Sequence, residues 1–256
     1  MRRVFPYLPW VACIALAGCA AYPRRSTSLT PAPADVATHA PDHVWRITFV
    51  EATVPPRRRG DLPWDPDGMP DPFVRVYRSG ALLWEGPIAE NTLQPTWNAT
   101  IPDNVRLAPG EPLRIEVWDA DEVDADPIGI WRGDGLPATA VPGADARIRF
   151  EGDATLMFRI APPLAYRGLG IRRYEVRPDA LVVLEIIENS PAGRAGLRPG
   201  DRIVAIDDQP VETLDERRAA TELSLAHERG SRLTVERADG TRQTVEPDGT
   251  LVWLVR

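Results

Sequence analysis

The stretch WDPDGMPD, residues 64–71, sets Asp65, Asp67 and Asp71 close together and then runs into the apolar FVRVY. A second acidic stretch, WDADEVDADPIG at 118–129, places Asp119, Asp121, Asp124 and Asp126 just beyond the strand-like LRIEV. Carboxylates so crowded raise one another's pKa unless a cation or water relieves the repulsion. Both clusters sit at the ends of strand-like runs, so Asp65, Asp71, Asp119, Asp121 and Asp126 converge if those ends lie side by side. Five carboxylates at one rim form an oxygen-only site, which suits a hard divalent cation such as calcium, with carbonyls and water completing the shell. Neither loop is an EF-hand, because the D-x-D-x-D-G spacing and its terminal Glu are missing. A pair of merely solvated acidic loops remains the alternative reading of the same residues.

The elements that must hold these loops are legible as short alternating runs: WRITFVEA, FVRVY, ALLWE, TWNATI, LRIEVWD, IGIW, ARIRF and TLMFRIA. Eight such runs bounded by turn residues, with no 3.6-residue period, predict a mainly β fold whose first domain, 44–161, is an eight-stranded antiparallel sandwich. APPLAYR, 161–167, carries two prolines and marks the domain junction. From residue 164 to 256 strands enclose two short helices. Ser190 followed by Pro191 offers a helix cap and a first helical residue, and Gly196 sits where a glycine would stop that helix. A second helix runs from about Asp215 to Arg229, with Ala219, Ala220, Leu223 and Ala226 on one face.

At this point two resemblances arise. Residues 44–161 resemble the C2 domain, a calcium- and lipid-binding β-sandwich, through the DP-x-G-x-x-DPFV loop, LQPTWNATI and LRIEVWDAD…DPIG. The resemblance puts the family's calcium-ligating aspartates on Asp65, Asp71, Asp119, Asp121 and Asp126. The last loop is one residue shorter than in many relatives, which makes Asp124 a substitute for Asp126. It also implies calcium-bridged contact with anionic lipid, for which Met69 and Val123 are the candidate loop tips; a calcium-stiffened protein-binding sandwich is the alternative. A dissociation constant on the order of 10⁻⁴ to 10⁻³ M would follow for an extracellular module.

The second unit, 164–256, resembles a PDZ domain, here a partly open β-barrel, through YRGLGI at 166–171 and NSPAGRAGLRPGDRIVAIDDQPV at 189–211. Gly168 and Gly170 permit tight turns that leave the amides of Leu169, Gly170 and Ile171 free for a peptide's terminal carboxylate. The peptide, a protein C-terminal tail or other extended segment, would add a strand beside GIRRYEV. Its last side chain would enter a pocket lined by Leu169, Ile171 and the second helix, including Leu223.

The N-terminal MRRVFPYLPWVACIALAGC has two arginines and then an apolar stretch too short to span a bilayer, so residues 1–19 read as a secretory signal. Its end, LAGC, resembles the lipobox of bacterial lipoproteins, which makes Cys19 the lipidated residue of an envelope lipoprotein; Ala20 after it is compatible with outer-membrane sorting. Cys13 and Cys19 are the only cysteines, so the expected mature chain has no thiol for a disulfide or for catalysis. Residues 20–43, rich in Ala, Pro, Ser and Thr, read as a flexible tether.

A formal charge of −7 offers no broad cationic surface, so nucleic acid is not an expected partner. All thirty Lys+Arg positions are Arg, which excludes a lysine nucleophile. No Gly-x-Ser-x-Gly elbow or His-Glu-x-x-His occurs. The expectation is a non-catalytic, membrane-anchored adaptor with a calcium module and a peptide module. The alternative is an accessory subunit of an envelope protease or secretion complex in which calcium is only structural.

Overall fold

The computed structural model describes residues 22–33, 40–65, 68–121 and 125–256. The signal segment with Cys19, and also Asp67, Val123 and Asp124, lie outside the described residues. Among the described residues no helix is long and apolar enough to cross a membrane.

All eight alternating runs form strands, and the sandwich begins at Val44 and ends at Ala161. One sheet orders them Asp145–Arg149, Thr155–Ala161, Val44–Thr53, Thr96–Thr100, with the short Val105–Arg106 also pairing Val44–Thr53. The other orders them Ala81–Glu85, Pro72–Arg78, Pro112–Ala120, Ala125–Asp134, and every pairing in both sheets is antiparallel. Alternation dictates which side chains turn inward: in Thr155–Ala161, Leu156, Phe158 and Ile160 are buried while the residues between them are not. They meet Val74, Val76, Ile115 and Val117 from the opposite sheet, and Phe49 stacks on Trp84 with centroids 5.3 Å apart. Large branched and aromatic side chains from two inner faces make the core that holds the loop ends rigid.

The second unit is a sheet ordered Ile171–Arg177, Ala180–Ile186, Arg202–Ile206, Leu233–Glu236, Arg242–Val245, covered by helices α1 (Pro191–Arg194) and α2 (Glu216–Arg229). It does not close into a barrel. Ser190 caps α1 by accepting the Gly193 amide at 3.3 Å, and Gly196 follows in the left-handed region, φ 84°. Asp215 caps α2 by accepting the Arg218 amide at 2.8 Å, and Leu223 and Ala226 are fully buried.

The Ala/Pro/Ser/Thr segment differs from its expected course as a free tether. Arg24–Arg25 pairs with Ile171–Arg177, and Thr30–Pro31 pairs with Ala165–Arg167, which in turn pairs with Val252–Trp253. The cause lies in the sheet rather than in the segment: an open strand edge presents unpaired amides and carbonyls, and a chain that reaches them satisfies both partners. The proline-marked junction likewise carries a strand, Ala165–Arg167, rather than only a link.

Candidate functional site

Two loop clusters stand out, one at the rim of the sandwich and one at the edge of the second sheet. At the rim, Pro72 and Asp119 are direct partners across neighbouring strands, so the two acidic loops leave the sheet side by side. The structure brings carboxylate oxygens of Asp65, Asp119 and Asp121 within 4.8 Å of one another. Asp119 is 0% exposed; its Oδ1 accepts the Asp71 amide at 2.6 Å, and its Oδ2 is buried without a hydrogen-bond partner among the described residues.

Burial pushes the Asp119 carboxyl up to about 6, and Asp65, Asp121 and Asp71 push it the same way against the Asp71 amide. Burial likewise raises Asp121, helped by Asp126 and by a hydrogen bond with Asp65, while Arg58 opposes. A buried anion without a counter-charge is costly, and of the three only Asp119 is buried.

The other two aspartates of the expected set are engaged differently. Asp71 accepts the Asn91 amide at 2.5 Å through Oδ1, which pins the loop before Thr96–Thr100 to the acidic rim. Asn91 in turn accepts the Met69 amide at 2.8 Å. Asp126, the direct strand partner of Asp119, is ion-paired with Arg58. Arg58 also donates to the carbonyls of Pro63 at 2.9 Å and Trp64 at 2.7 Å, so one guanidinium ties both acidic loops together. Trp64 is buried and donates from its indole to the Pro55 carbonyl at 2.8 Å. Arg58 is the middle of three consecutive arginines, 57–59, and nothing in that run singles it out. Met69, the candidate membrane tip inside the described residues, is 45% exposed.

At the second site, Gly168 and Gly170 adopt φ 156° and 82°. A Cβ on Gly170 would fall 2.2 Å from Ser190 Cβ, so the loop can pass the α1 cap only as glycine. Carbonyls of Leu169 and Gly170 accept from Ala192 and Ile187, at 3.0 and 2.9 Å, and orient the loop. Leu169, Ile171 and Leu223 are packed together in the core of this unit. The Ile171 amide donates to Thr27 Oγ1 at 3.1 Å, so the edge expected to receive a peptide carries residues of the N-terminal segment.

A sandwich with this strand order and acidic rim has a C2-like fold, joined here to a sheet-and-helix unit with an edge loop. The C2 domain family model matches residues 44–132, which include all five rim aspartates, and a PDZ domain family model matches 182–237, beyond the Gly168–Ile171 loop. Among solved structures, a C2 domain is 21% identical, with 46% of this chain and 97% of that one covered, at a TM-score of 0.36. A structure of two C2 domains of Extended-Synaptotagmin 2 is 19% identical over 66% of this chain, at 0.36, and the chain spans 50% of that structure. A C2 domain of plant Extended Synaptotagmin 1 is 17% identical, covering 48% and 96%, also at 0.36. No curated protein matches the sequence.

Proposed function

We propose that the chain is a non-catalytic, lipid-anchored adaptor of the bacterial envelope, which binds calcium at the sandwich rim and protein tails at the edge of the second sheet. The observation that carries the calcium half is the fully buried Asp119, whose carboxylate lies within 4.8 Å of those of Asp65 and Asp121 and whose Oδ2 has no hydrogen-bond partner among the described residues. Asp119, Asp65 and Asp121 would supply the first ligands. Asp71 holds the neighbouring loop in register, and Asp126 joins only if Arg58 swings away. The peptide half is supported by the match to the PDZ family and by the glycine-shaped loop at a strand edge that already accepts an added strand, Arg24–Arg25. Cys19 would attach the adaptor to the membrane, with the calcium rim and Met69 directed at anionic lipid.

The test is calorimetric titration of calcium into the chain, with melting followed in parallel. A ligand that binds only the native state must stabilise it, by about 1.4 kcal/mol at roughly ten times the dissociation constant. The expected result is heat and a rise in melting temperature at millimolar calcium, both lost in Asp119→Asn and strongly reduced in Asp65→Asn. Asp126→Asn should bind about as well as the wild type. A flat melting curve at millimolar calcium overturns the calcium half.

A further inference from the structure

The edge of Ile171–Arg177 carries a strand from the same chain. Arg24 and Arg25 pair with Glu175 and Tyr174, and the Val176 amide donates to the Pro23 carbonyl at 3.0 Å. Thr27, only 5% exposed, makes three bonds to one residue. Its amide and its Oγ1 donate to the Ile171 carbonyl at 3.1 and 3.0 Å, and its Oγ1 accepts the Ile171 amide at 3.1 Å. The segment runs antiparallel to the edge and forms one wall of a cavity of about 600 Å³ whose other wall is α2, at Arg217, Ala220, Thr221 and Ser224. At the start of α2, Glu216 accepts from Arg25 Nε at 3.0 Å.

Beyond Thr27 the segment crosses Gly168, where a Cβ would meet the Ser28 carbonyl at 2.5 Å. It then pairs again at Thr30 with Arg167 and at Pro31 with Tyr166. The chain therefore occupies the strand edge and one amide of the carboxylate loop, borders the helix-lined groove, and is pinned on both sides.

We propose that residues 24–31 are the resident ligand of this groove, and that a protein tail binds by displacing them. This inference rests on the peptide-binding reading above. The resident segment also shows the chemistry a displacing tail needs: a cation opposite Glu216, a small hydroxyl residue two places later against Ile171, and then a free carboxylate in place of the onward chain. A carboxylate accepts an amide more strongly than a hydroxyl does, which gives a true terminus its advantage. The resident segment has the advantage of tethering, with an effective concentration on the order of millimolar. A tail's apparent affinity is lowered by the fraction of chains whose groove is open.

The experiment uses the full chain and a fluorescein-labelled peptide, YPRRST, with a free carboxylate, read by anisotropy. The Arg25→Glu/Thr27→Val variant weakens the resident segment without altering the groove. The expected result is affinity about tenfold or more tighter than wild type, since removing a competitor restores the intrinsic constant. Hydrogen exchange gives a second readout: the Ile171 and Val176 amides should exchange slowly in wild type, quickly in the variant, and slowly again once the peptide is added. The strand Leu233–Glu236 should stay protected throughout, which shows that the variant is folded. Equal peptide affinity for both proteins overturns the resident-ligand inference and leaves the peptide reading standing. Absence of binding to a variant whose edge amides have become exposed overturns both. Unchanged protection at Ile171 and Val176 in the variant also overturns the inference.

Discussion

Asp119 sits where its own charge is least tolerated, sealed from water beside Asp65 and Asp121, with one oxygen bound to the Asp71 amide and the other without a hydrogen-bond partner among the described residues. Its carboxyl is raised to about 6 from an ordinary value of 3.8, chiefly by burial. A group whose folded pKa is raised binds its proton more tightly in the native state, so its stabilisation is complete below about 4 and is lost as pH climbs through 6. Without calcium, the melting temperature contributed by this site should therefore fall between about pH 4 and pH 6, and Asp119→Asn should flatten that part of the profile. With calcium the slope reverses, because the ion must displace the proton, and affinity should rise through the same interval. A wild-type calcium-free melting profile indistinguishable from that of Asp119→Asn between pH 4 and 6 would count against the assignment. The acidic composition of this site was legible as spacing in the chain, whereas its inequality was not. Asp119 is the buried member because its strand is central in the sheet, and Asp126 is the neutralised one because Arg58 reaches it from a loop 68 residues away.

At the scale of elements, strand alternation was the readable quantity. Runs such as Val44–Thr53, Pro112–Ala120 and Thr155–Ala161 found their places because one face of each had to be buried, and a slip of one residue would have turned that face to water; Ala81–Glu85 and Thr96–Thr100 contain no buried residue. Caps were readable for the same local reason: Ser190 and Asp215 bond amides three residues on. The glycine loop is the element on which the second unit most depends, and its two constraints are separable. Gly170 has φ 82° and a neighbouring side chain where a Cβ would go, whereas Gly240 has φ 80° and open space. Gly240→Ala should cost about 1 kcal/mol from backbone strain alone. Gly170→Ala adds a clash with the α1 cap and should cost at least about 2 kcal/mol, as destabilisations from strain and overpacking together do. Denaturant melts of the two variants check this; equal costs would mean that Ser190 yields freely and that the loop is not wedged. Strand Arg24–Arg25 was illegible because its segment, YPRRSTSLTPA, has no buried face of its own. The information that orders it is carried by the edge of Ile171–Arg177.

At the scale of the molecule, the sandwich and the second unit are joined by more than the chain between them. Asn104, 3% exposed, donates from Nδ2 to the Leu164 carbonyl at 2.9 Å and accepts the Leu164 amide at 2.7 Å. Its own backbone bonds the segment after the last strand, Val252–Trp253, donating to the Leu254 carbonyl at 3.0 Å and accepting the Arg256 amide at 2.9 Å. Arg78 of the sandwich donates to the Arg256 carbonyl at 2.7 Å, and Arg256 Nε to Asp103 at 2.7 Å. Segment 252–256 thus pairs with the junction strand through Val252 and Trp253 and with the sandwich through Leu254 and Arg256. Such an arrangement should make the two units melt together, so that a calorimetric scan of the wild type gives one transition whose van't Hoff and calorimetric enthalpies agree. Asn104→Ala strips both partners from the Leu164 backbone, and a buried donor or acceptor left unsatisfied costs about 1–3 kcal/mol. The loss falls on the joint rather than on either core, so the expected scan for Asn104→Ala is two resolved transitions, with the core of each unit intact. Because the resident segment, the junction strand and residues 252–253 share one small sheet, the same variant should also speed exchange of the Ala32 amide, which donates to the Ala165 carbonyl at 2.9 Å. Two transitions already present in the wild type, or a single unchanged transition in the variant, would show that the units are independent and that the Asn104 bonds only decorate their contact.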